Sequence, residues 1–244
     1  MRAAAEWASL GIIACCALAA VTAARPALAI DINDVQPCAP VDPSMTALNY
    51  NNDYNDPSAQ VRLRTVEANH LDSDVLLLKA GETAPLPLDL DFALRAFPND
   101  YIALNLMATW QLKHKGPIGP DSRYWTADCY FLRALSLWPN DWKIHYIYAI
   151  YLDKAKRLAS AQTQYDLAAS DGASGGDYYY NRGLYEVDAG HLDQAEKYAK
   201  LARAAGDPFP GLRLRLEQAR KQQLRGGRKA TRSTGKSLSA QSQP

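Results

Sequence analysis

One pattern limits this chain more than any other: small and aromatic residues return at a step of 34. Ala127, Phe131 and Ala134 stand four and three residues apart, the spacing of one face of an α-helix. One step leads to Ala161, Tyr165 and Ala168, and a second leads to Ala195, Ala199 and Ala202. Eight of these nine positions hold Ala or an aromatic in the same slot, and the ninth, Ala199, has Tyr198 beside it. The segments before them keep the same step, since Ala149 in HYIYAIYL maps onto Gly183 in YYYNRGLYEV. A period this long, made of helix-spaced small residues, predicts a helical unit repeated along the chain, each copy stacked on its neighbours.

A second repetition marks the joints. FPNDY (Phe97–Tyr101) and WPNDW (Trp138–Trp142) each read aromatic, Pro-Asn-Asp, aromatic. Pro98 and Pro139 are predicted to stop an outgoing helix, with Asn99–Asp100 and Asn140–Asp141 supplying N-cap oxygens to the next. Phe97 and Trp138 pack under the joints in this reading, and Tyr101 and Trp142 open the next pair. The phrases lie 41 apart because KHKGPIGPDS, with Gly116, Pro117, Gly119 and Pro120, inserts an irregular stretch. The helices flanking it are predicted over about 100–113 and 122–138. Upstream, PLDLDFALRAF (Pro87–Phe97) reads as the second helix of an earlier, degenerate pair whose partner spans about 71–79. Downstream, GLRLRLEQARKQQL (Gly211–Leu224) places Leu212, Leu216 and Ala219 on one stripe, as a capping helix would.

The stretch YYYNRGLYEVDAGHLDQAEKYAKLARAAGDP resembles the tetratricopeptide repeat, with Gly183, Gly190, Ala195, Ala202 and Pro208 near that family's marked positions. Three residues depart from it: Lys156 stands where a turn glycine is usual, Arg182 where a leucine is usual, and Ala199 replaces a bulky side chain. The likeness covers about residues 61–220. It implies an all-α, tetratricopeptide-like solenoid of about three to four helical hairpins, with an irregular N-terminal arm and a C-terminal capping helix. It also implies a concave face lined by leading helices. By resemblance, the groove residues are Ile102, Asn105 and Thr109 on the first leading helix. On the second they are Lys143, Tyr146, Ile150 and Asp153, and on the third Asp177, Tyr180 and Leu184. The alternative for each tyrosine is packing between repeats.

The N-terminus gives an address. Residues 1–29 carry Arg2, an apolar Ala-rich run and ALA at Ala27–Ala29, the pattern of a cleaved secretory signal. An uncleaved anchor, or lipid attachment at Cys15 in IIAC, are the other readings. An exported, periplasmic or secreted chain starting near Ile30 keeps two cysteines, Cys38 and Cys129, which predicts one disulfide, with two free buried thiols as the alternative. Residues 30–60 read as an extended arm and 61–224 as the helical domain. Residues 225–244 read as a disordered basic tail, because the end from Arg220 has seven basic residues, no acidic ones and little to bury. Such a tail can touch an anionic membrane surface weakly.

Chemistry-bearing patterns are few. The four histidines show no metal-ligand spacing, and there is no glycine-rich phosphate loop, so no metal, cofactor or nucleic acid is expected. Cys129 and His145 form a thiol–imidazole pair only if the cysteine is free. NNDYND (Asn51–Asp56) has the oxygens of a calcium loop without its glycine or closing glutamate, so a capped turn is favoured. Asp89 and Asp91 in LDLD diverge on a helix. YNRG (Tyr180–Gly183) is similar to repeat variants that clamp a peptide carboxylate, a role that needs more basic residues than Lys143. The expected role is therefore non-catalytic binding of a protein or peptide in the cell envelope. The alternatives are an envelope enzyme with a site near 114–122, or an accessory protein docked on membranes by its tail.

Overall fold

The computed structural model describes Cys38, residues 51–114 and residues 124–240, with side chains as far as Gly226. The proposed signal, the rest of 30–50, insertion residues 115–123 and residues 241–244 lie outside the described residues. Among the described residues there is no strand. A 3-10 turn (Pro57–Ala59) leads into α1 (Gln60–His70), a single turn α2 (Ser73–Leu76) and α3 (Leu86–Ala96). Then come α4 (Tyr101–Lys113) and α5 (Ala127–Leu137), α6 (Trp142–Lys154) and α7 (Leu158–Ser170), and α8 (Gly176–Asp188) and α9 (Leu192–Ala204). The last is α10 (Gly211–Ala240).

Contacts follow a simple order. α4 packs on α5, α6 on α7 and α8 on α9; α4 also touches α6, α6 touches α8, and α8 touches α10. The helix ends explain why the chain turns where it does. Asp100 accepts from the N–H groups of Ile102 and Ala103, and Asp141 from that of Lys143, so each Pro-Asn-Asp phrase starts a helix. At the far ends, Lys156 and Gly190 both hold the left-handed conformation, with φ of 61° and 82°. Each follows the same pair of backbone bonds: Lys156 N–H to Asp153 O and Arg157 N–H to Leu152 O, then Gly190 N–H to Val187 O and His191 N–H to Glu186 O. Gly172 and Gly206 repeat this closure at φ of 97° and 87°. The 34-residue step therefore exists in backbone geometry as well as in sequence.

The register residues form the core. Of the nine, eight are buried and Ala199 is half-buried. Ring stacking fills the space between pairs, as with Phe131 on Tyr148 at 4.6 Å and Tyr165 against Tyr185 at 5.2 Å. A Cβ on Gly183 would run into the methyls of Leu212 and stand 3.3 Å from Tyr198 Cβ, so glycine is what lets α8 lie this close to α9 and α10. Leu212 and Leu216 are buried with Val187 and Ala195, so the stripe on α10 closes the end of the stack. Burying each leucine contributes roughly 1.5–3 kcal/mol.

Four expectations need correction. The partner of α3 is α1, not residues 71–79. There, Asp72 caps only the single turn of α2. α1 was hard to see because Val61 faces solvent and Leu63 is its one buried residue. α5 begins at Ala127 rather than near 122, where Thr126 accepts from Cys129 N–H. α10 continues past Leu224 to Ala240, so residues 225–240 are helical. Finally, the N-cap oxygens come from the aspartates alone, and Asn99 does something else, described below. The predicted disulfide joins Cys38 to Cys129 across 91 residues and ties the arm to α5.

Candidate functional site

The leading helices α4, α6 and α8 lie side by side, and none of the ten predicted groove residues on them is buried. Ile102, Asn105 and Asp177 are exposed, and Thr109, Lys143, Tyr146, Ile150, Asp153, Tyr180 and Leu184 are half-buried. Several of these are occupied within the chain. Tyr146 OH donates to Asp177 O (3.0 Å) and accepts from Asn181 Nδ2 (2.8 Å). Tyr180 meets Phe209 edge-on at 6.0 Å, and Leu184 packs beside Leu212 and Leu216. For these three, packing between units is the observed role. Lys143 Nζ sits 4.8 Å from the Tyr101 ring and 5.9 Å from Trp142. Asp153 keeps one oxygen buried without a partner, and burial, then the charge of Asp188, pushes its carboxyl above the usual carboxylate range.

The motifs weighed for chemistry are used up in structure. Cys129 is disulfide-bonded, so it offers His145 no thiol. His145 instead places Nδ1 2.7 Å from Gln164 Oε1 and Nε2 2.9 Å from Pro139 O. The LDLD carboxylates diverge. Asp89 accepts from the N–H groups of Glu82, Thr83 and Ala84, while Asp91 is gripped by Arg95 Nε (2.6 Å) and Tyr130 OH (2.5 Å). In YNRG, Asn181 is committed to Tyr146 and Arg182 is buried, so neither side chain can clamp a terminal carboxylate. Arg182 pairs with Glu186 (2.9 Å) and Asp166 (3.0 Å), with its guanidinium 5.0, 5.2 and 5.7 Å from the rings of Tyr165, Tyr185 and Tyr198. That aromatic cage and the two carboxylates accommodate a buried arginine. Among the described residues no three His, Cys, Asp or Glu side chains gather as a metal site would require.

The two Pro-Asn-Asp phrases differ in one respect that sequence reading missed. In the first, Phe97, Pro98, Asn99 and Asp100 are all buried. The cover is the arm. Asn52 donates to Ala96 O from both its backbone N–H (3.1 Å) and its Nδ2 (3.0 Å). Asn99 Oδ1 accepts from Tyr54 N–H, and Asn99 Nδ2 donates to Asp53 Oδ1, each at 2.8 Å. Tyr54 then meets Tyr101 edge-on at 5.1 Å. Asp53 and Asp56 also cap their own turn, accepting from the N–H groups of Asn55 and Ser58, which settles NNDYND as a capped turn.

The second phrase has no such cover among the described residues. Leu137, Pro139 and Asn140 are exposed, and a cleft of about 530 Å³ opens there, lined by both phrases' aromatics Tyr101, Trp138 and Trp142 with Asn55, Asn140 and Lys143. Tyr101 OH accepts from Asn55 Nδ2 (2.8 Å) and donates to Asp141 Oδ2 (2.6 Å), so the cleft begins where the docked arm ends. The one available signal was the repeated phrase, which gives no hint that its copies differ in cover. Comparison with known proteins finds no family model, no curated protein and no solved structure that matches this chain.

Proposed function

We propose that this chain is a non-catalytic scaffold of the cell envelope that holds a protein or peptide partner on the leading-helix face of a tetratricopeptide-like solenoid. The observation that carries the proposal is the pile of α4 on α6 on α8, with Ile102, Asn105, Thr109, Lys143, Ile150 and Asp177 left accessible along it. Ile102 and Ile150 supply apolar area, Asn105 and Thr109 supply hydrogen bonds, and Lys143 and Asp177 supply charges of opposite sign. Tyr146 and Tyr180 shape the face and do not reach for the partner. The signal-like residues 1–29 support an exported, periplasmic address.

In-cell photo-crosslinking tests this reading. A photoreactive side chain at Ile102, Asn105 or Thr109 is expected to capture one common partner, identified by mass spectrometry. The same label at Ala68 or Thr163, exposed positions on helices outside the leading set, is expected to capture none of it. Equal capture from both sets would overturn the proposal, as would no specific adduct from the first.

A further inference from the structure

The two Pro-Asn-Asp phrases are congruent in backbone. Phe97 and Trp138 have φ, ψ of −134°, 86° and −130°, 73°. Asp100 and Asp141 have −68°, 103° and −79°, 99°. Both phrases close with the same bonds, Asp100 N–H to Phe97 O and Asp141 N–H to Trp138 O. Two cradles of one shape therefore stand side by side. The first shows what such a cradle holds: Asn52-Asp53-Tyr54, the leading side of a turn that Asp53 O closes by accepting from Asp56 N–H. Its asparagine amide reads two neighbouring groups at once, the backbone N–H of one residue and the side-chain oxygen of the residue before it. The aromatic after the phrase takes the ring. In the second cradle Asn140 occupies the asparagine position, is exposed, and makes no side-chain hydrogen bond to a described residue. Trp142 occupies the ring position and Leu137 the carbonyl position, 41 residues on from Tyr101 and Ala96.

We infer that the second cradle is a docking site for a turn-forming segment of a partner polypeptide with the chemistry of the arm: Asn or Asp followed by an aromatic residue. The partner's backbone N–H donates to Asn140 Oδ1, and its Asp or Asn oxygen accepts from Asn140 Nδ2. Its ring packs on Trp142. A preceding N–H reaches the carbonyl of Leu137. Arg133 strengthens the first cradle by donating from Nη2 to Asn51 Oδ1 at 2.6 Å. Its counterpart one 34-residue step on is Leu167, so the second cradle binds more weakly and exchanges its occupant. The site shares Lys143 with the leading-helix face but does not depend on a partner there.

The probe is the arm's own sequence, the peptide YNNDYNDPS (residues 50–58), titrated into the purified full chain. Binding is followed by peptide anisotropy and tryptophan emission. A dissociation constant of about 0.1–1 mM is expected. Asn140→Ala, Trp142→Ala and a peptide carrying Asp53→Ala are each expected to weaken it at least about tenfold, which is about 1.4 kcal/mol. Circular dichroism reports whether the variants keep their helices. Arg220→Ala, distant from the cleft, is the control and is expected to bind as the native chain does. No binding by about 5 mM, or binding indifferent to Asn140→Ala, overturns the inference. Two further outcomes also overturn it, by naming a different occupant. One is a dimer that Asn140→Ala dissociates, meaning a second copy fills the cleft. The other is tryptophan emission in the free monomer that iodide cannot quench, meaning the chain covers the cleft itself.

Discussion

Arg182 offers the sharpest energetic test, because it replaces an expected leucine with a buried charge. Its side chain is 6% exposed and that of its partner Glu186 is 4% exposed. Arg182→Leu fits the volume but leaves Glu186 with only the largely exposed His191, 2.9 Å from Oε2. Breaking a buried pair from one side costs about 3–5 kcal/mol, and the surviving histidine contact places this case at about 3. Glu186→Leu costs about 2 kcal/mol, since Arg182 keeps Asp166 and three tyrosine rings. Removing both partners leaves no stranded charge, so the double variant costs only about 2 kcal/mol, mostly lost ring contacts. The singles therefore exceed the double by about 3 kcal/mol, a coupling readable by urea unfolding under far-ultraviolet circular dichroism. Additivity within about 0.5 kcal/mol would refute the claim that pair and cage act as one unit. So would an Arg182→Leu chain as stable as the native one.

Three other outcomes follow from single sites. Burial pushes Asp100 up to about 6, against the two backbone donors that favour its charged form. The unfolded carboxyl titrates near 3.8, so the folded state binds the proton more tightly; stability from this group is complete below that value and is lost as pH rises through about 6. The loss is about 3 kcal/mol. Asp100→Asn, which keeps a cap oxygen, is expected to flatten urea stability between pH 4 and 6, and an unchanged slope would refute this. Replacing Cys38 and Cys129 together by serine removes a cross-link spanning 91 residues. The expected loss is about 4–5 kcal/mol, and a loss below about 1 would show the arm contributes little. Lys156→Gly relieves a left-handed lysine and is expected to raise stability by about 1 kcal/mol, even after losing its exposed pair with Asp188. A decrease in thermal midpoint would contradict that.

What could be read from sequence was whatever the helical period governs. Ala127, Ala161 and Ala195 announced their burial because close helix contact tolerates only small residues, and Gly190 announced its turn because left-handed backbone favours glycine. Lys156 was visible as an exception, and it carries a conformational penalty in the expected place. α1 was less visible, since its one buried residue leaves almost no stripe. Long-range polar pairing was invisible. Nothing in the spacing says that Asn99 grips Asp53 and Tyr54, that Arg133 reaches Asn51, or that Arg182 lies among three rings. Such contacts depend on which units meet in space, and most of them join residues far apart in the chain. The groove candidates divided along the same line. Exposure followed from helix phase, whereas the engagement of Tyr146, Tyr180 and Leu184 depended on the neighbouring unit.

Whether the leading-helix face is a binding surface is decided by calorimetric titration of the crosslinked partner, once identified, against the native chain and against Ile102→Asp/Asn105→Asp. One saturable binding event is expected, weakened at least about tenfold in the variant with helicity unchanged. Equal affinity in both chains would contradict a partner held on that face.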